Sequence, residues 1–476
     1  MRRAAAAAAV TAVLAGCAGC SLAPRYQRPT MPAPPETYKE AGDWRVAAPA
    51  DNAPRGPWWT LFKDPDLDAL EAQVSDANQS LKAALARLEE ARAQTRIARS
   101  SWFPTLTAQG TATRGEASVY SANYTPGAPR TGNSFVAAGD LSYELDVFGR
   151  IRNTVAGARA SEQASAGDVG ALDLSVHAEL AADYFTLRGL DLELTLLEQT
   201  VADYARALSL TENLYHGGAA VISDVQQAQA QLETARTQAE DTRLRRAQTE
   251  HAIAVLVGKQ ASVFSVAAVP AGRALPLPEV TPGLPSQLLE RRPDVAAAER
   301  RVAAANAAIG VARAAYFPVL DILGSAGSQA PQTAKLFTAP SQFWSIGPQL
   351  VLTVFDGGLH AAQSAQAHAA YDEQVANYRA TVLTAFQDVE DNLAALRQLQ
   401  RESISQAAAV AATQGALDQA NLRYKGGIVT YLEVVATENA ALAARLAAVD
   451  IEIRRANARV LLVKALGGDW QAPAAR

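Results

Sequence analysis

Cysteine and histidine are the side chains here with the most potential for nucleophilic or metal chemistry. Cys17 and Cys20 stand in CxxC spacing, which serves as a metal or redox pair when further thiols or imidazoles converge on it. The chain has 2 cysteines in all and 5 scattered histidines, so no second half of such a site exists. His360 and His368 lie eight residues apart, too far for an i, i+4 metal pair, and read as solvated surface groups. No nucleophile elbow, phosphate loop or metal cluster is visible, and paired carboxylates on helices are too common to argue for hydrolysis. The sequence therefore reads as non-enzymatic, with no metal and no dissociable cofactor.

What remains for the cysteines is set by their position. They follow Met1-Arg2-Arg3 and an apolar stretch, Ala4 to Gly16, that is too short to span a bilayer, which takes about 20 residues. Residues 1–16 read as a secretory signal peptide. Leu14-Ala15-Gly16-Cys17 resembles the bacterial lipobox, after which the peptide is cut and the thiol of the new N-terminal cysteine becomes the nucleophile for lipidation. The expected product carries an N-acyl chain, such as palmitate, and an S-diacylglycerol group. Cys17 is favoured on the tetrad, and Cys20 is the alternative, although a cysteine stands where its own box usually has leucine. Neither Ala18 nor Ser21 is the aspartate that retains lipoproteins at the inner membrane, so a lipid-anchored outer-membrane location is expected.

These residues must be carried by an unusual body. Alanine supplies 104 of 476 residues, whereas aromatics make up 6% and charged residues 19%. Bulky side chains are too sparse for several thick cores, and alanine favours helices in close or thin layers. A net charge of -5 gives no footprint for nucleic acid. Residues 17–60 are dense in proline and read as an extended tether.

The body repeats itself. Ser101-Trp102-Phe103-Pro104 recurs as Ala315-Tyr316-Phe317-Pro318, 214 residues on; Leu145-Asp146-Val147-Phe148 recurs as Leu352-Thr353-Val354-Phe355, 207 residues on. Tyr215-His216-Gly217-Gly218 recurs as Tyr424-Lys425-Gly426-Gly427, 209 residues on. A tandem duplication follows, with repeats at 61–280 and 281–470 and a tail at 471–476. Each half reads helix, strand pair, long helix, turn, helix. Leu180, Tyr184, Leu187, Leu190, Leu194, Leu197, Val201, Tyr204 and Leu208 step by threes and fours, as do Val382, Phe386, Val389, Leu393 and Leu396. Proline is absent from Arg150 to Tyr215 and from Gly358 to Tyr424. Each run predicts one helix of roughly 65 residues and about 100 Å.

Between the helices, Leu141, Tyr143, Leu145 and Val147 alternate with polar residues, and Leu350, Leu352 and Val354 recur with the same period. That alternation suits a transmembrane barrel strand, apolar to lipid and polar to lumen. The strand pairs are expected at about 104–148 and 318–355, with partner strands near Thr105 to Thr113 and Val319 to Gln329. Aromatics bracket them, as in interfacial girdles. Four strands cannot close a barrel, for which about eight is the usual minimum, and open edges are not tolerated in hydrocarbon. Several chains must then share one barrel.

The chain resembles the outer-membrane efflux protein family, the TolC-like channels, and its lipidated OprM-like branch. The resemblance is carried by Cys20-Ser21-Leu22-Ala23-Pro24-Arg25-Tyr26, Trp58-Trp59, Glu144-Leu145-Asp146-Val147-Phe148-Gly149-Arg150, Arg291-Arg292-Pro293-Asp294 and Ala314-Ala315-Tyr316-Phe317-Pro318. It implies a homotrimer with a 12-stranded outer-membrane β-barrel, four strands per chain, continued by a long periplasmic α-helical tube with an equatorial domain. The implied function is the passive exit duct of a tripartite pump for drugs or other small solutes. Its implied partners are a periplasmic adaptor and an inner-membrane transporter of the resistance-nodulation-division class. The alternatives are a protein-secretion duct of the same fold and a non-conducting structural envelope lipoprotein.

By the same resemblance, the turns at Tyr215, Gly217, Gly218 and at Tyr424, Gly426, Gly427 form the adaptor-contacting periplasmic entrance. Leu432 matches an apolar constriction ring, and Asp224 and Glu433 supply rings of negative charge. Asp224 has a second reading, as a carboxylate in the first turn of a helix. Ala436 departs from the family, whose gate network has an aspartate there; Glu433 or Glu438 takes its place, or closure rests more on Leu432. Glu144 and Asp146 either line the barrel or hydrogen-bond at its periplasmic rim.

Overall fold

Helices form where the threes-and-fours apolar spacing runs without an internal proline, and the four longest stop within two residues of a glycine. The computed structural model describes residues 21–30, 38–41, 57–120, 125–127, 129–268, 278 and 292–468. The first half contains α1 (Pro65–Ala77), α2 (Gln79–Ser100), β1 (Thr105–Glu116), β2 (Thr131–Leu145), α3 (Arg150–His216) and α4 (Ile222–Leu256). The second contains α5 (Pro293–Ala314), β3 (Val319–Ala330), β4 (Gln342–Val351), α6 (Leu359–Lys425) and α7 (Tyr431–Ala465). From α2 and from α5 onward the order is the same. The matched helices have equal lengths: 22 residues for α2 and α5, 67 for α3 and α6, and 35 for α4 and α7.

The chain divides into two compact units. The first takes residues 1–30, 88–165 and 298–378, and holds one four-stranded antiparallel sheet in the order β1-β2-β3-β4. The β2–β3 pairing joins the halves, with Leu145 opposite Leu320 and Phe135 opposite Ala330. Register and the period of two define the faces. Leu106, Leu141, Gly324 and Ile346 line up across the strands, followed on the same face by Tyr143, Ile322 and Pro348. Thr107, Asp140, Ser325 and Ser345 line up on the opposite face, followed by Thr105, Ser142, Leu323 and Gly347 and then by Glu144, Asp321 and Gln349, so Leu323 is an apolar side chain in a mostly polar set. One face is therefore apolar and the other mostly polar, and β1 and β4 form the sheet's two outer edges.

The strands stop earlier than alternation alone predicts. Val147 lies beyond β2, and Leu352 and Val354 lie beyond β4. The cause is capping. Asp146 accepts hydrogen bonds from the backbone N–H groups of Ile151 at 2.9 Å and Arg152 at 2.8 Å, so the chain has to turn into α3. Asp356 does the same before α6, accepting from the N–H groups of Gly358 at 2.8 Å and His360 at 2.9 Å. His360 also pairs with Asp356, so it is not the freely solvated group expected; His368 is exposed.

The described residues of the proline-rich segment that include Ser21, Pro24 and Tyr26 dock on the body. Ser21 Oγ donates to Asn153 Oδ1 at 3.0 Å, Asn306 donates to the Pro24 carbonyl at 2.9 Å, and the Tyr26 hydroxyl donates to Glu299 at 2.7 Å. Cys17, Cys20, the signal segment, Arg291 and the C-terminal tail lie outside the described residues.

The second unit takes residues 31–87, 166–297 and 379–476. Its core includes Phe62, Leu67, Tyr184, Phe185, Leu187 and Ile253, each no more than 1% exposed. Pro293 opens α5, where its missing N–H costs nothing. Beside it Arg292 spreads its fork over Asp294 at 2.8 Å, Asp388 at 2.8 Å and the Ala465 carbonyl at 3.3 Å. The Arg-Pro-Asp run thus fastens the start of α5 to α6 and to the end of α7.

Candidate functional site

Two helix hairpins in the second unit, α3–α4 and α6–α7, end in turns built alike. In the first, the Gly218 N–H donates to the Tyr215 carbonyl at 3.0 Å and the Ala219 N–H to the Leu214 carbonyl at 2.8 Å. In the second, the Gly427 N–H donates to the Tyr424 carbonyl at 2.9 Å and the Ile428 N–H to the Arg423 carbonyl at 2.9 Å. Gly218 and Gly427 take φ of 75° and 70°, the left-handed conformation that ends a helix with a carbonyl-capping turn. Gly217 and Gly426 precede them, each donating to the carbonyl four residues back, Asn213 and Leu422.

Behind the turns the hairpins pack through a small cluster. Ala228, Ala420, Tyr431 and Val434 are buried together, with Ala207, Leu208, Tyr424 and Val435 against them. The Tyr424 and Tyr431 rings lie 5.6 Å apart. Burial holds both phenols above their ordinary range, with Asp224 adding negative charge near each. Beyond this cluster the tip surface is apolar: Val221, Ile222, Leu422, Ile428 and Leu432 are each at least half exposed.

The three predicted gate residues have different surroundings. Leu432 is exposed in the first turn of α7. Glu433 is tied to Arg423, Oε1 to Nη1 at 2.6 Å, which offsets its charge within the chain. Asp224 is half-buried in the first turn of α4, with its N–H bonded to the Val221 carbonyl, so its dipole-side placement coexists with its nearness to the two tyrosines. Glu144 sits on the polar face of the sheet, held by Arg150 Nε at 2.8 Å, and Asp146 serves the start of α3.

Sequence reasoning gave Tyr204 only a place in a helical stripe and gave Tyr431 no place at all. Tyr204 is 4% exposed and packs with Leu232 and Ala235. Tyr431, Val434 and Glu438 stand at i, i+3 and i+7 on α7, so the buried stripe runs onto a carboxylate. That spacing was the available signal.

The family of outer membrane efflux proteins matches residues 70–259 and 284–468, one segment in each repeat. The chain belongs to this family. Among its relatives, the outer membrane protein OprJ of Pseudomonas aeruginosa is 33% identical over 457 residues, 94% of this chain and 93% of that one. The cation efflux system protein CusC of Escherichia coli is 30% identical over 451 residues, 95% of this chain and 96% of that one. The solved structure of the outer-membrane channel OprN superposes with a TM-score of 0.84 at 29% identity, covering 94% of this chain and 99% of that one. Family membership makes the chain an outer-membrane efflux channel component. The fold agrees with the expected combination of helical tube and barrel sheet.

Proposed function

We propose that three copies of the chain close one 12-stranded barrel and one helical tube, forming the passive exit duct of a tripartite pump for drugs and other small solutes. The observation that carries this is the four-stranded sheet with an apolar face, a polar face and outer edges at β1 and β4. A sheet that meets lipid needs its edges paired, and four strands are too few to curl shut alone. The apolar hairpin tips are the docking surface for the periplasmic adaptor, which links the duct to a resistance-nodulation-division transporter. Leu432 forms the constriction, and Asp224 and Glu433 its charged lining. Lipid on Cys17, or alternatively on Cys20, anchors the mature chain.

Native mass in detergent and planar-bilayer conductance test this reading. The expected mass is three times that of one processed, lipidated chain. Leu432→Ala and Asp224→Ala should each raise resting conductance; unchanged conductance in both would remove the gate assignment, and a monomeric, non-conducting protein would remove the duct.

A further inference from the structure

Glu438 lies on the buried stripe of α7 with no cation against it. Its Oε2 is buried without a hydrogen-bond partner, and no ion pair to it is found among the described residues. The groups around it on the packed elements are apolar, phenolic, amide and acidic. From α3 come Asp203, whose carboxylate is paired with the exposed Arg206, and Tyr204. From α4 come Gln231, which hydrogen-bonds Asn439, and Asp224, whose charge acts on Tyr431. From α6 comes Tyr424, whose ring lies tilted against that of Tyr431, while Arg423 is committed to Glu433. An ionised carboxylate without a partner is disfavoured in such a place.

We propose that Glu438 is a proton-operated latch on the tips: as the neutral acid it remains within the Tyr204–Tyr431 packing of the two hairpins, and on losing its proton it moves toward solvent and loosens them. Burial first, and Asp203 second, push its carboxyl up to about 7 from an ordinary 4.5. Because the folded value lies above the unfolded one, the latch stabilises fully below about pH 4.5 and is lost as pH rises through about 7. The same site read as the duct's gate turns this loosening into opening, and that consequence alone rests on the proposed function.

Hydrogen exchange read by mass spectrometry on the purified full-length protein tests the latch. After correction for intrinsic exchange, peptides covering 204–215 and 424–438 should open about fivefold more at pH 7.5 than at pH 5.5, within the tenfold that each unit of pKa difference allows. Glu438→Gln should keep them closed at both values, and Asp203→Asn should move the midpoint downward. An unchanged pH response in Glu438→Gln, or a pH-independent wild type, overturns the latch. Bilayer conductance of the same samples separates the two readings: pH-dependent exchange with a resting conductance that ignores pH supports the latch and overturns the gate.

Discussion

At the scale of single residues, burial decides which charges matter. His177 and Glu71 are 2% and 0% exposed, and Nδ1 of the ring meets the carboxylate at 2.5 Å. Trp59 stacks on the imidazole at 4.4 Å, and Asp173 and Ser75 meet Nε2 at 3.5 Å and 3.3 Å. Burial opposes the imidazolium, but hydrogen bonds to Asp173 and Glu71 outweigh it and lift the ring to about 9. Its contribution is therefore complete below about pH 6.5 and lost as pH rises through about 9. Melting temperature should fall across that window in the wild type and respond less in His177→Gln. Burial pushes the Glu71 carboxyl up to about 7, so above that pH His177→Ala leaves a buried carboxylate alone and should cost about 3–5 kcal/mol in denaturant melts. Arg423 and Glu433 are 50% and 41% exposed at their side chains, and exposed pairs contribute about 0–1 kcal/mol. Arg423→Ala should leave melting nearly unchanged while raising cation selectivity in reversal-potential measurements, because it frees the Glu433 carboxylate.

At the scale of elements, the helices were legible because their signal is local. An unbroken apolar stripe without proline predicted roughly 65 residues, and α3 and α6 each have 67. Strand ends were less legible, since alternation continues past the point where Asp146 and Asp356 turn the chain into helix. The tip turns depend on Gly218 and Gly427, where an added Cβ meets nothing within 4 Å, so only backbone strain opposes a side chain. Gly427→Ala should cost about 1–2 kcal/mol through its left-handed φ. The loss should appear as faster exchange confined to the α6–α7 turn, with the global melt little moved.

At the scale of the whole molecule, the sheet faces set the assembly. Ile346 and Ser345 are neighbours on β4, yet Ile346 lines up with Leu141 on the apolar face and Ser345 with Asp140 on the polar one. Arginine on a lipid-facing barrel position costs about 2–4 kcal/mol near the midplane, whereas lumen positions tolerate charge. Ile346→Arg should reduce the yield of heat-modifiable, membrane-inserted protein severely, and Ser345→Arg should leave insertion intact while altering conductance. Equal loss in both would mean that the polar face does not meet water.

The sequence by itself determined the duplication, the lengths of the long helices, the strand pairs and the glycine turns, because each is written in spacing along a few consecutive turns or strands. Only the tertiary structure decided that β2 pairs with β3 to merge the halves into one sheet, that Arg423 takes up Glu433, and that Glu438 faces Asp203 and two phenols. Those outcomes depend on groups brought together from distant parts of the chain. Periodicity shows that a residue lies on a buried stripe; what lies across from it is set by packing.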